Sequence, residues 1–113
     1  MHEYGIVEAL LQRVDEVARG RGATRVRRVR LRLGELAGVE PTLLAAAYAA
    51  FRERTCCAEA ALDVEPVAAR WSCPGCARPI ARGEVLRCPA CGAPARLVAG
   101  DEIVLYRVEL EVP

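Results

Sequence analysis

Six cysteines and one histidine carry most of the metal-binding chemistry available to this chain of 113 residues. Cys73, Cys76, Cys88 and Cys91 form two Cys-x-x-Cys pairs with eleven residues between them. Each pair can bend around one ion while its amides face the sulfurs. Four thiolates suit a tetrahedral Zn2+, with Zn–S bonds of about 2.3 Å. The prolines and glycines of CPGC and CPACG supply the residue types such tight turns require. Because four thiolates close the coordination sphere, the spacing predicts structural zinc, with no open position for a hydrolytic water. Paired disulfides would need an oxidising compartment, and a thioredoxin-like redox pair would need to open a helix in a βαβ setting.

The second cluster is at the amino end, Met1-His2-Glu3, and contains the only histidine. The α-amine of Met1, the next amide nitrogen and the His2 imidazole can close small fused chelate rings, and Glu3 adds an amide nitrogen or a carboxylate oxygen. Such donors favour Ni(II) or Cu(II) in a square plane. A motif this short also arises by chance, so a merely solvated histidine stands as the alternative. Cys56 and Cys57 are adjacent in sequence and are expected to be small packing residues, neither ligands nor reactive thiols.

The elements that must position these donors follow from periodicity. From Tyr4 to Arg19, Val7, Leu10, Leu11, Val14, Val17 and Ala18 recur at helical spacing, and Gly20 and Gly22 supply a stop. Residues 24–34 alternate, with Val29, Leu31 and Leu33 on one face and Arg28, Arg30 and Arg32 on the other, as a half-buried strand requires. Pro41 opens a second helix over about 41–54, with Leu44, Ala47, Tyr48 and Phe51 as its buried stripe. A strand follows in AALDVEPVAARW, where Pro66 cannot donate to a ladder and so predicts an edge or an irregularity. The last strand occupies about 102–112. Between these two strands the cysteine segment shows neither period.

Composition narrows the function. All sixteen basic residues are arginine, which removes a P-loop lysine and Schiff-base chemistry, so nucleotide hydrolysis is not expected. The formal net charge of +1 falls to about −1 once zinc on four thiolates is counted. That balance argues against nucleic acid, although a zinc ribbon with Arg25, Arg27, Arg28, Arg30 and Arg32 on phosphates is the rival reading. No apolar run reaches membrane-spanning length and the N-terminal residues lack a signal-peptide layout, so a cytoplasmic, non-membrane protein is expected.

With MHE at its start, RLRLGELAGVEP from the end of the first strand into the second helix and two Cys-x-x-Cys pairs before the last strand, the chain resembles the HypA/HybF family of hydrogenase nickel-incorporation proteins along essentially its whole length. The resemblance implies a non-catalytic nickel metallochaperone. It implies nickel on Met1, His2 and Glu3, with Glu40 of GVEP in support, and structural zinc on Cys73, Cys76, Cys88 and Cys91. Glu40 can equally be an acidic residue at the start of the second helix, favoured there by the helix dipole. The implied partners are a GTP-hydrolysing nickel-insertion protein (HypB-like) and the [NiFe]-hydrogenase large subunit. Some family members offer nickel a further histidine from the zinc subdomain, and this sequence has none beyond position two.

The expected fold is α+β: a small mixed three-stranded sheet packed with two helices, residues 1–71 and 100–113, with an inserted zinc-ribbon-like subdomain at 72–99. Monomer and homodimer both stand open.

Overall fold

A computed structural model describes residues 2–83 and 85–113. Its first helix, α1 (His2–Gly20), buries Val7, Leu10, Leu11, Val14 and Ala18 along one stripe. It ends where Gly22 takes φ 64° and the Ala23 N–H reaches back to the Ala18 carbonyl at 2.9 Å. Strand β1 (Arg25–Gly34) is the centre of the main sheet, between β2 (Ala61–Val67), parallel to it, and β6 (Ile103–Glu111), antiparallel to it. The parallel β1–β2 pair needs a crossover, and α2 (Pro41–Phe51) supplies it. Pro66 does lie on an edge strand.

Both helices cover one face of this sheet. Val26, Val29, Leu31 and Leu33 of β1 pack there with Leu44, Ala47 and Tyr48 of α2 and the α1 stripe. A register shift between Val26 and Arg28 inserts Arg27 as a bulge, so that Val26 and Val29, three apart, share the core side. The outer face is a charge ladder. Arg28 meets Asp63 at 2.7 Å, Arg32 meets Glu65 at 3.0 Å, and Arg25 meets Glu59 at 2.6 Å and Glu111 at 2.5 Å. Arg32 also lies over the Tyr106 ring, 4.2 Å from its centroid.

Two expectations about α2 need correction. It ends at Phe51 and not near residue 54, because Arg54 adopts a left-handed backbone, φ 65°, that no α-helix can continue through. Phe51 is 40% exposed and lies outside the buried stripe. It meets the Tyr4 ring in a T-shaped contact, with centroids 5.1 Å apart and planes at 86°.

The cysteine segment, which shows no period in the sequence, forms a second three-stranded sheet in the order β4-β3-β5: β3 (Arg70–Ser72), β4 (Pro79–Ile80) and β5 (Arg96–Ala99). Strands of two to four residues are too short for alternation to be visible. Their core is small: Cys73, Ile80 and Cys88 buried, with Trp71, Ala93 and Ala95 against them. The two sheets make an elongated molecule, with a radius of gyration of 18.0 Å where a compact chain of this length has about 13 Å. At their junction Gly100, φ 101°, lies so close to Ala69 that a β-carbon there would stand 2.5 Å from the Ala69 Cα. Gly34 and Gly100 also touch backbone to backbone.

Candidate metal centres

The four cysteines converge, with their sulfurs all within 4.8 Å of one another. Sulfurs at tetrahedral corners 2.3 Å from zinc would be about 3.8 Å apart, so the cluster has the size this ion requires. Two turns of one design bring them together. In the first, the Cys73 N–H donates to the Arg78 carbonyl at 2.9 Å and the Ala77 N–H to the Cys73 carbonyl at 2.9 Å. In the second, Cys88 donates to Ala93 at 2.9 Å and Gly92 to Cys88 at 2.8 Å. The position four after each leading cysteine is left-handed, φ 57° at Ala77 and 75° at Gly92. Of the glycines in the two motifs, Gly92 therefore serves its turn, whereas Gly75 has no positive φ.

The electrostatics of the cluster call for a cation. The Cys76 N–H, 3.3 Å from the Cys73 sulfur, is the main cause holding the Cys73 thiol down at about 6. The Cys91 N–H likewise lowers Cys88. The neighbouring sulfurs, Cys91 first, push Cys76 up to about 12. Four thiolates side by side repel, and a divalent ion at their centre removes that penalty.

Cys56 and Cys57 stand apart from this cluster. Cys57 is fully buried in the main core and Cys56 packs against that core, and burial pushes the Cys57 thiol up to about 12. They pack as the small hydrophobes that buried cysteines were expected to be.

At the amino end, the Met1 expectation lies outside the described residues. His2 is the first residue of α1 and is exposed, followed by Glu3 in the first turn. The Glu40 N–H donates to Glu3 Oε2 at 3.4 Å. Glu3's own backbone N–H first, and the Glu40 N–H second, hold its carboxyl below the ordinary carboxylate range. The Glu40 carboxylate is otherwise engaged: it caps α2 by accepting from the Leu43 N–H at 2.9 Å, with Pro41 in the first turn. The structure thus brings Glu3 and Glu40 together through a backbone donor and gives the Glu40 side chain the helix-start role.

A residue that inspection of the sequence missed is Glu35. Its carboxylate takes the Ala69 N–H at 2.5 Å and grips both terminal nitrogens of Arg82, one of them at 2.7 Å. Nothing local in the sequence announces a pair 47 residues apart.

Among the described residues no helix is long and apolar enough to cross a membrane. The family model described as hydrogenase/urease nickel incorporation, metallochaperone, hypA matches residues 1–110. A hydrogenase maturation factor HypA of Wolinella succinogenes is 39% identical, over 98% of this chain and 96% of its own. Those of Shewanella oneidensis and Aquifex aeolicus are 36% and 35% identical, the first over 98% of this chain and 96% of its own, the second over 99% of each. A HypA protein solved in solution superposes with a TM-score of 0.82 at 26% identity, over all of this chain and 98% of that one. The Ni metallochaperone HypA of Helicobacter pylori, also solved in solution, shares the fold with a TM-score of 0.75 at 24% identity and 98% coverage of both chains. A match running through both sheets, the four-cysteine cluster and the amino-terminal helix places the chain in the HypA family of hydrogenase and urease nickel-incorporation metallochaperones, proteins that carry a metal and do not turn over a substrate.

Proposed function

We propose that this chain takes up Ni(II) at Met1, His2 and Glu3 and releases it to the machinery that matures [NiFe]-hydrogenase, with structural zinc on Cys73, Cys76, Cys88 and Cys91. One observation carries the nickel reading: α1 begins at His2 with Glu3 in its first turn, where the Glu3 carboxylate accepts the Glu40 N–H at 3.4 Å. The first amides of a helix have no intrahelical acceptor. The backbone nitrogens of His2 and Glu3 can therefore turn to a metal without breaking a helical hydrogen bond. The first-turn carboxylate also offsets the positive end of the helix dipole, which would otherwise repel a cation. Nickel is cargo in this reading, and protons compete for the amine and imidazole that hold it, so affinity falls as pH drops.

Zinc, when bound, supplies a closed thiolate tetrahedron, and its task is to hold 72–99 in shape while 1–71 with 100–113 presents the nickel segment. The partners we propose are a GTP-hydrolysing nickel-insertion protein (HypB-like) and the hydrogenase large subunit, in the cytoplasm, where thiols stay reduced. The absence of any lysine supports nucleotide turnover by the partner. The nucleic-acid reading loses its main support, because Arg25, Arg28, Arg30 and Arg32 already face Glu59, Asp63, Glu65, Glu109 and Glu111. The test is calorimetric titration of nickel into untagged, zinc-loaded wild type and His2→Ala. The variant should lose specific nickel uptake and keep its zinc; equal nickel affinity in the two proteins would refute the proposal.

A further inference from the structure

The two sheets meet around residue 35. Glu35 follows the last residue of β1, and its peptide N–H and carboxylate together tie it to the 67–69 stretch and to Arg82. Its own peptide N–H donates to the Val67 carbonyl at 2.9 Å, its Oε1 accepts the N–H of the buried Ala69, and both oxygens pair with Arg82. Arg82 stands in the loop between Cys76 and Cys88, within the segment that the two cysteine pairs enclose.

From Glu35 the chain runs five residues to Glu40, whose N–H holds Glu3. The intervening segment is braced and not slack. Leu36 donates to the Gly100 carbonyl at 2.7 Å, Ala37 to the Gly34 carbonyl at 3.0 Å, and Ala37 and Val39 pack on the main core. One short loop therefore begins at the grip of the cysteine lobe and ends at the donor that fixes a candidate nickel ligand.

We infer that Glu35 is a positioning residue for the amino-terminal nickel segment: gripped by Arg82 and Ala69, it sets the 35–40 loop from which Glu40 holds Glu3. The inference rests on the nickel reading proposed above. A two-pronged arginine–carboxylate pair fixes plane as well as distance, which a single point contact does not. Glu35 touches none of the candidate nickel donors and acts through Glu40 alone. Without Arg82 the loop keeps the Ala69 and Gly100 contacts but loses its side-chain tie to the cysteine lobe, one of the restraints behind Glu40.

The experiment uses the untagged, zinc-loaded full chain as wild type, Glu35→Gln, Arg82→Gln, Arg82→Lys, the Glu35→Gln/Arg82→Gln double variant, and His2→Ala as reference. Nickel affinity is read by calorimetry and zinc by elemental analysis. Each glutamine variant should weaken nickel roughly threefold to tenfold at unchanged zinc content. The double variant should lose no more than the weaker single, since both cut one link. Arg82→Lys should fall between wild type and Arg82→Gln, because it keeps the charge and loses the fork. Wild-type nickel affinity in Glu35→Gln and Arg82→Gln, with His2→Ala still deficient, would overturn the positioning role and leave the nickel reading intact. Losses that add in the double variant would also overturn it. Nickel binding by His2→Ala equal to wild type would bring down the nickel reading and this inference with it.

Discussion

Gly100→Ala tests whether the junction between the sheets is as tight as its geometry. The new β-carbon would stand 2.5 Å from the Ala69 Cα and 2.7 Å from its nitrogen, where ordinary contact begins at 3.4 Å. Both atoms are backbone, so the connector itself must retreat by about 0.9 Å. The residue must also hold φ 101°, which costs a non-glycine about 1–3 kcal/mol. Overpacking of this kind costs about 1–3 kcal/mol more, for a total near 4 kcal/mol. For a chain of this length that is a fall in unfolding midpoint of roughly 16 °C.

Gly5→Ala is the counterpart. Gly5 lies within α1, with nothing inside 4 Å of its added carbon, and helix propensity alone predicts a gain of about 1 kcal/mol. Thermal unfolding of zinc-loaded protein should be followed by circular dichroism for the helices and by the emission of Trp71, the sole tryptophan, for the cysteine lobe. A Gly100→Ala midpoint within about 3 °C of wild type on both signals would refute the steric reasoning.

Cys88→Ala should abolish stoichiometric zinc and shift Trp71 emission to the red while the helical signal persists, because α1 and α2 pack on a separate core; zinc retained at one ion per chain would contradict this. Tyr48→Phe removes the hydroxyl that donates to the Ala60 carbonyl at 2.8 Å, but Arg52 still reaches that carbonyl at 2.9 Å. The loss in urea should be about 1 kcal/mol, and a loss above about 3 kcal/mol would mean the acceptor had been orphaned. The Arg25 guanidinium holds the Glu111 carboxyl below its ordinary range. Its folded value lies below the unfolded one, so its contribution is complete above the ordinary carboxylate range near pH 4.3 and disappears as pH falls through the lowered value. Urea midpoints of wild type and Glu111→Gln should therefore converge in acid, and parallel acid limbs would remove the pair from the account.

Much of the architecture could be read from local pattern. The α1 stripe, the alternation of β1, Pro41 at a helix start and Pro66 on an edge are each decided by neighbours within a few residues, and the structure keeps them, with Val17 of the stripe only half-buried. The Arg27 bulge and the exposed Phe51 were hidden, because each depends on a partner distant in sequence, β6 for the bulge and α1 beside Phe51. Glu40 had two plausible roles in the sequence, and the structure shows the helix-start one in the Leu43 N–H beneath its carboxylate, while its own N–H reaches Glu3.

By itself the sequence determined the donors: two cysteine pairs at metal-binding spacing and a lone histidine at residue two, since ligand chemistry depends on atom type and on short stretches of backbone. Tertiary structure alone decided how those donors are held. It turned Glu35 toward Arg82, brought the Glu40 amide to Glu3, and set Gly100 against Ala69. These contacts join segments about 30 to 50 residues apart. No local periodicity encodes them, because they exist only where the folded chain crosses itself.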